Sequence, residues 1–264
     1  MSRPACPVLF VSHGAPLFAL EPGATGPALR DWAQRLPAKP RGIVIMSPHW
    51  MARAPAVMTN PKPATWHDFG GFPAALYQLQ YPAPGDPALA QEVIGLLEAA
   101  GMSTAGDAAR PLDHGAWVPL MHLFPAADVP VVQVALPVRW GPREVHALGA
   151  ALRSLRESGV LVVGSGSMTH NLSEFFGLAH EPAPYVLEFS RWIESAIATG
   201  DLSALLDYRA RAPHAERAHP SEDHLMPLFF ALGAAGTAWK ADYISREVMH
   251  GMLSMDAMAL EAPE

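Results

Sequence analysis

Three histidines of this chain each follow a run of residues typical of a β-strand. His13, His49 and His170 come directly, or within a few residues, after apolar runs that end in small polar residues or glycine. Continuous apolar runs of this length fit strands that are buried on both faces of a parallel sheet. Because ligands bind at the carboxyl ends of the strands in open α/β sheets, we expect the three imidazoles to meet in one crevice.

Two further histidines, His114 and His224, lie at the ends of predicted elements beside Gly or Asp. A catalytic metal needs about three fixed protein ligands and an open position. The chain has 12 histidines and one cysteine, so a transition-metal site here would be built from imidazole and carboxylate. Such ligands suit Fe, Zn, Mn or Ni. Because the sequence has no His-Glu-x-x-His motif, the ligands have to come from separate elements.

The elements that would position these histidines alternate between strands and helices. This alternation predicts an α/β fold with a mostly parallel central sheet and helices on both faces. We find no repeat, linker or shift in composition, so residues 1–264 are predicted to form a single domain. The final residues are expected to fray. The predicted strands are 7–12, 42–47, 56–59, 129–136, 160–164 and an edge strand at 237–244, and the predicted helices are 26–36, 88–100, 116–124, 142–158, 184–199, 202–210 and 221–232.

Composition and charge exclude several classes of protein. The formal net charge is −7, with acidic and basic residues interspersed, so we expect no nucleic-acid partner. The first apolar run is too short to span a membrane and lacks the pattern of a signal peptide. A single cysteine, Cys6, excludes an internal disulfide and favours a reducing, cytoplasmic setting.

Eight short motifs, in the order in which they occur, resemble those of the 4,5-DOPA extradiol dioxygenase family. This family is a branch of the LigB-like class III extradiol ring-cleavage dioxygenases. The resemblance covers about residues 7 to 250, nearly the whole chain. The motifs are Ser12–Pro16, Ser47–Trp50, His67–Pro73, Tyr81–Gly85, Asp113–Trp117, Gly164–Gly166, His170–Leu172, and His219-Pro220 with His224.

The resemblance implies a three-layer α/β/α sandwich that binds one divalent metal ion. The ion is Fe(II) in active members, and bacterial relatives are often found with zinc. By motif, His13, His49 and His224 are the implied metal ligands. His170 is implied at or next to the metal, as a fourth ligand or as the acid/base, and His114 is implied to face the substrate.

The third metal ligand departs from the pattern of the broader class. That class holds iron with two histidines and a carboxylate, the facial triad suited to oxygen activation. Here His224 occupies the third position, with Glu222 and Asp223 beside it. Helix phase leaves open which of the three side chains points inward. A site with three neutral histidines would hold zinc well.

The implied reaction opens the ring of a catechol such as DOPA beside its diol, with O2 as the second substrate. His170 would take a phenolic proton, because imidazole titrates near neutral pH. His114 would hydrogen-bond a bound oxygen or a substrate hydroxyl, and Asp113 is an alternative partner that would orient His114. Four aromatic residues are candidates for the walls of the substrate site: Phe18, Trp50, Phe72 and Trp117.

Two other functions fit the same histidines. A zinc-dependent hydrolase would use the metal to activate water, and a non-enzymatic protein would only bind the metal. An apolar, aromatic rim favours the dioxygenase, since a hydrolase of polar substrates would need more basic residues than Arg53 and Arg139. The remaining histidines are predicted to be structural or solvated: His67 ties the aromatic loop, His122 packs in the core, His219 fixes the start of a helix, and His146, His180, His214 and His250 are solvated.

Overall fold

The computed structural model describes residues 5–175 and 181–261, which form ten strands and nine α-helices. Short 3-10 helices lie between several of them. The strands are β1 Val8–Ser12, β2 Gly42–Ala52, β3 Ala56–Met58, β4 Ala105–Asp107, β5 Val131–Pro137, β6 Val160–Gly166, β7 Lys240–Ser245, β8 Val248–Met249, β9 Leu253–Ser254 and β10 Ala257–Glu261. The helices are α1 Thr25–Gln34, α2 Pro87–Ala99, α3 His114–Leu123, α4 Pro142–Ala151, α5 Pro184–Ala198, α6 Leu202–Leu206, α7 Tyr208–Arg211, α8 Ala215–Ala218 and α9 Met226–Ala235.

Eight of the strands form one sheet in the order β4-β3-β5-β2-β6-β1-β10-β7. The central pairs β5–β2, β2–β6 and β6–β1 are parallel, as is β3–β4. The pairs β3–β5, β1–β10 and β10–β7 are antiparallel. The predicted mostly parallel sheet is therefore confirmed.

Helices cover both faces of this sheet, which makes three layers. Along β1, Val8 and Phe10 pack into one buried cluster with α4, α5 and α9, whereas Leu9 and Val11 pack into a second cluster with α1 and α3. Successive strand side chains point to opposite faces, so an apolar residue at every position is what a strand covered on both sides requires. The predicted α/β/α architecture follows from this pattern.

Strand β2 continues past the end that the sequence predicted. Its pairing with β5 shifts between Ser47 and Met51, so that Pro48, His49 and Trp50 form an irregular segment inside the strand. A proline usually ends a central strand because it cannot donate to the ladder, but a bulge removes that requirement. The bulge carries His49 at the carboxyl edge of the sheet.

The sequence analysis did not predict β10, the last strand along the chain. The sequence favoured fraying at this end, but β10 lies buried between β1 and β7. Its run Ala257-Met258-Ala259-Leu260 has small residues and no β-branched side chain, so its strand propensity is weak. The strand predicted at 237–244 corresponds to β7, at the edge of the sheet as expected.

Three predicted helices have other bounds. The helix predicted over 142–158 ends at Ala151 and is followed by a separate 3-10 helix, and the one predicted over 202–210 divides into α6 and α7 at Asp207. The helix predicted over 221–232 begins only at Met226 and continues through Gly233. A Cβ on Gly233 would lie 2.0 Å from the carbonyl oxygen of His146, so this glycine allows α9 and α4 to pack closely rather than ending a helix.

Among the residues described, no helix is both long and apolar enough to span a bilayer.

A buried carboxyl before β10 predicts a pH-dependent stability. Burial raises the pKa of Asp256 to about 6, whereas an unfolded aspartate titrates near pH 3.9. The folded state therefore binds the Asp256 proton more tightly than the unfolded state does. The resulting contribution to the free energy of unfolding is complete below about pH 4 and is lost as pH rises through about 6. Asp256→Asn is expected to raise the free energy of unfolding by about 1–3 kcal/mol at pH 8, and by much less at pH 4.

Urea unfolding of both proteins at the two pH values measures this difference. Asp86→Asn at the start of α2 is the control, because Asp86 caps a helix by accepting from the amides of Ala88 and Leu89. An equal gain from Asp256→Asn at pH 4 and pH 8 would contradict a titration effect.

Candidate metal centre

Three histidines converge at the carboxyl edge of the parallel strands. His13 follows β1, His49 lies in the bulge of β2, and His114 is the first residue of α3. Within the described ranges, these three form the group whose ligand nitrogens all lie within 4.8 Å of one another. The sequence predicted this meeting for His13 and His49, whereas His114 was expected to face the substrate.

Hydrogen bonds fix the tautomer of His13. The Ser165 hydroxyl donates its one proton to the carbonyl oxygen of Gly115. Its oxygen therefore accepts from Nδ1–H of His13, at 3.0 Å. This leaves the Nε2 lone pair of His13 free to bind a metal, as in sites where a neighbour holds the second ring nitrogen.

Asp68 orients two of the imidazoles. Its Oδ1 accepts from both the backbone amide and Nδ1 of His114, each at 2.9 Å, and its Oδ2 lies 3.7 Å from Nδ1 of His49. Burial alone would raise the pKa of Asp68, but its hydrogen bonds and charge interaction with His114 lower the pKa below the usual value. The hydrogen bond holds the Nδ1 proton of His114 and leaves its Nε2 lone pair free, and the nearby negative charge favours the same tautomer in His49.

The Nε2 atoms of His13 and His49 lie close enough to bind one metal ion. Nε2 of His49 lies 3.2 Å from Nε2 of His13. Burial and repulsion between neighbouring imidazoles lower the pKa of His13 and bring that of His49 to about 4. Both rings are then neutral at pH 7, and His49 with its proton on Nδ1 presents an Nε2 lone pair beside that of His13. Neutral imidazoles arranged in this way fit a divalent transition metal.

His224 is the inward-facing group of the three alternatives for the third ligand. Its Nδ1 pairs with Oδ2 of Asp223 at 2.7 Å, while its Nε2 is buried without a hydrogen-bond partner. Glu222 accepts from the hydroxyl of Tyr208 instead. The ring of His224 lies 5.1 Å from that of His49, and burial lowers the pKa of His224 to about 3.

His170 completes the cluster from the strand β6 side. Its ring stacks on that of His224, with centroids 3.5 Å apart and an angle of 7° between the planes. The backbone amide of His170 donates to the carbonyl oxygen of Ala218. Burial lowers the pKa of His170 to about 4, so the ring is neutral at pH 7.

These imidazoles open into a cavity of about 540 Å³. Its lining includes His49, His114, His170 and His224, but the rest of its wall is apolar or glycine. The larger apolar residues of that wall are Pro16, Phe69, Phe72, Leu172, Phe175 and Leu253.

Of the four aromatic residues predicted to wall the substrate, Phe72 lines this cavity. The other three are buried and are not among the lining residues. Phe18 packs against His122, the ring of Trp50 lies 4.8 Å from the Arg110 guanidinium carbon, and Trp117 donates from Nε1 to the carbonyl oxygen of Trp66. These three side chains pack in the protein core behind the site. Their place next to a motif histidine in sequence did not show in which direction they point.

The sequence did not identify two groups that orient histidines. Asp113 was the suggested partner of His114, but it accepts from Arg110 and Gln133 and caps α3 instead. Asp68 takes that role. The only sequence signal for it was its place in the glycine-rich aromatic loop 66–73. Ser165, the partner of His13, carried a similar signal between Gly164 and Gly166.

The remaining histidines divide into two groups. His67 ties the aromatic loop to the carbonyl oxygen of Leu79, and His122 is buried, as predicted. His219 is also buried and bonds the carbonyl oxygen of Met168.

The four histidines predicted to be solvated have different environments. His146 is half-buried, with a buried Nε2, so that prediction was wrong for it. His214 pairs with Glu188 near the surface, and His250 is half-buried against Phe175. His180 lies outside the described residues.

The sequence was compared with models of known protein families. Residues 7–257 match the family model for the catalytic LigB subunit of aromatic ring-opening dioxygenase. The chain belongs to the LigB family. It is an extradiol aromatic ring-opening dioxygenase, as the motifs predicted, and the alternative of a zinc-dependent hydrolase is not favoured.

Individual relatives agree with this membership. The 4,5-DOPA dioxygenase extradiol of Beta vulgaris is 38% identical over 248 residues, which cover 93% of this chain and 92% of the relative. The protein of the same name from Escherichia coli K12 is 34% identical over 246 residues, covering 89% and 87%. A crystal structure of an uncharacterized Escherichia coli K12 protein has a TM-score of 0.80 at 26% identity, covering 96% of this chain and 99% of that one.

Removing the charge of Asp68 is expected to lower the affinity of this site for its metal ion. Replacing a residue that hydrogen-bonds a metal-ligating histidine typically lowers metal affinity or activity by about 10–100-fold. We expect Asp68→Asn to weaken the binding of the metal by about that factor, measured by competition with a chelator. Asp86→Asn is the matched control, at a distant helix cap. An affinity within about twofold of the parent protein would show that Asp68 does not orient the ligands.

Proposed function

We propose that this chain opens the ring of a catechol such as DOPA with O2 when a mononuclear site held by histidines contains Fe(II), and that the same site can also bind Zn(II). One observation carries the proposal: several neutral imidazoles, with free ring nitrogens, face one apolar cavity lined by aromatic residues. The relatives named 4,5-DOPA dioxygenase extradiol support the choice of substrate class. A planar diol can reach the imidazole cluster while its ring packs against Phe69 and Phe72.

The proposed metal ligands are His13, His49 and His224, with His170 at or next to the metal. The hydrogen bonds of His13 with Ser165 and of His224 with Asp223, and the Asp68 carboxylate 3.7 Å from Nδ1 of His49, support this set because they leave the other ring nitrogens free to bind a metal. His114, close to the same point, would bind the metal or a substrate hydroxyl. Bound Fe(II) would supply the redox chemistry with O2 that amino-acid side chains lack.

The chain's own residues handle the proton and exclude water. His170 is neutral and at the cavity, so we propose that one of its ring nitrogens takes a phenolic proton from the diol. His114 has its Nδ1 fixed by Asp68, which leaves Nε2 to accept a hydrogen bond from a substrate hydroxyl. The aromatic wall keeps water from the ring during the reaction.

Oxygen uptake tests this function. The protein is stripped of metal, reloaded anaerobically with Fe(II) and mixed with DOPA and a small panel of catechols. We expect oxygen consumption with a coloured ring-opened product, and we expect the Zn(II)-loaded protein to be inactive. No uptake across the panel with Fe(II) bound would reject the proposal.

The setting of the enzyme is also a proposal. We propose one catalytic domain over residues 1–264, because the family match spans residues 7–257 without a break. A single cysteine favours a cytoplasmic location. The expected partners are the small aromatic diol and O2, without nucleic acid or membrane.

A further inference from the structure

A largely buried arginine lies where three segments of the site meet. The guanidinium of Arg110 contacts the bulge of β2, the loop 66–73 and the residue that caps α3. These segments carry or precede His49, Asp68 and His114. The side chain of Arg110 is 11% exposed and is not among the residues that line the cavity. Arg110 therefore acts on the site through its neighbours rather than by touching a substrate.

The bulge of β2 receives a hydrogen bond from this arginine. Nη2 of Arg110 donates to the backbone carbonyl oxygen of His49, at 3.2 Å. A bulge leaves some backbone groups outside the regular ladder of the sheet, so a side-chain donor is needed to satisfy them. Because this bond holds the peptide group of His49 itself, it restricts the directions in which the imidazole can point.

The same nitrogen also binds the residue that caps α3. Nη2 of Arg110 lies 2.7 Å from Oδ2 of Asp113, which is fully buried and also accepts from the side chain of Gln133. The other oxygen of Asp113 caps α3, whose first residue is His114. One nitrogen of Arg110 thus joins the bulge to the start of the helix, and the rings of His49 and His114 lie 3.9 Å apart.

Two tryptophans hold the guanidinium in place. Its carbon lies over the rings of Trp50 and Trp66, at 4.8 and 5.0 Å from the ring centres. Trp50 follows His49 in the bulge, and Trp66 lies two positions before Asp68. A planar guanidinium stacks well on aromatic faces. Through these contacts Arg110 also ties the loop that carries Asp68 to the bulge.

We propose that Arg110 is a positioning residue of the metal site, which sets the spacing of His49 and His114 and holds the loop of Asp68 beside them. Lysine is a poor replacement, because its ammonium is a compact point charge that lacks the planar fork and the aromatic stacking of arginine. This inference rests on the proposed metal site and names a further residue on which the site depends. It does not depend on which catechol is the substrate.

Arg110→Lys tests the inference while keeping a positive charge beside Asp113. Removing that charge would leave a buried carboxylate unpaired, which strongly destabilises a protein. The dissociation constant for Zn(II) is measured by competition with a chelator, and the visible absorption spectrum of the Co(II)-loaded protein reports the geometry of the ligands. We expect Arg110→Lys to bind Zn(II) about tenfold more weakly than the parent protein and its Co(II) bands to shift. The parent affinity and spectrum in Arg110→Lys would overturn the inference.

Arg156→Lys is the matched control, because it changes a second buried arginine at the opposite edge of the sheet. Arg156 is 6% exposed and donates to the backbone carbonyl oxygens of Cys6, before β1, and Ala235, at the end of α9. We expect this variant to have a lower Tm but the Zn(II) affinity and Co(II) spectrum of the parent protein. An equal loss of Zn(II) affinity in both lysine variants would attribute the effect to general destabilisation and overturn the inference.

Trp66→Leu tests the contact with the loop. Trp66 is 42% exposed, so its replacement does not open a cavity in the core, and its backbone carbonyl still accepts from Trp117. Loss of the stacking on Arg110 is expected to weaken Zn(II) binding by about two- to fivefold. The parent affinity in Trp66→Leu would overturn the part of the inference that concerns the loop of Asp68.

Oxygen uptake by the same proteins separates this inference from the proposed function. Weaker Zn(II) binding in Arg110→Lys, without uptake by the Fe(II)-loaded parent protein, would support the positioning role while rejecting the dioxygenase. Uptake by the parent protein together with unchanged metal binding in Arg110→Lys would keep the dioxygenase and overturn the inference. A parent protein that binds no Zn(II) would overturn the inference together with the proposed metal site.

Discussion

His49→Ala protein is expected to leave purification with less than about one-tenth of the metal that the parent protein retains. Three features place His49 at the centre of the site. Its Nε2 lies 3.2 Å from that of His13, its ring lies 3.9 Å from that of His114, and the bulge in β2 holds its backbone. A site with about three protein ligands has little affinity left after one of them is removed.

Metal content by mass spectrometry, together with oxygen uptake after reloading, measures this loss. We expect kcat/KM with a catechol to fall by at least about 10³-fold. His214→Ala is the matched control, since His214 pairs with Glu188 at the surface and should keep the full metal content. Stoichiometric metal in folded His49→Ala protein would remove His49 from the site.

His170→Ala is expected to stop turnover while most of the metal stays bound. General acid–base groups contribute typically about 10²–10⁴-fold, and we expect kcat to fall by that factor. Metal content should stay within about twofold of the parent protein, because the hydrogen bonds that orient His13 and His224, and the Asp68 carboxylate 3.7 Å from Nδ1 of His49, do not involve His170.

A second variant of His170 separates its proposed role in proton transfer from its packing against His224. The ring of His170 lies flat on that of His224, so removing it could shift the neighbour. His170→Phe keeps an aromatic ring there and removes the proton acceptor. Both variants should lose kcat to a similar degree. Full activity in His170→Phe would reject the role in proton transfer and leave only the packing role.

The parts of the fold that sequence could predict are those with a local pattern. The apolar runs before His13 and His49 identified β1 and β2, because a strand buried on both faces needs an apolar residue at nearly every position. The same logic failed at β10, whose alanines and methionines carry a weak strand preference. It also failed at Pro48, where the sequence predicted the end of β2. The strand continues through a bulge, in which the missing N–H of proline costs no ladder hydrogen bond.

The site was harder to predict because its supporting bonds join distant positions. Asp68 and His114 are 46 positions apart and lie in a loop and a helix start. No periodicity links such residues, so sequence indicated the histidines by motif and left their partners undetermined. Helix phase also failed for Glu222, Asp223 and His224, since α9 begins only at Met226 and these residues precede it.

The place of β1 between β6 and β10 has a consequence for how the protein is made. Ser12, beside His13, donates from its hydroxyl to the backbone carbonyl oxygen of Asp256, 244 positions further along the chain. During translation the ribosome must therefore synthesise almost all of the described chain before both neighbours of β1 exist. Until then an apolar strand edge stays open, and open edges pair readily with other chains. We therefore expect metal loading to follow synthesis of the last strand, and nascent chains to need chaperone protection at β1.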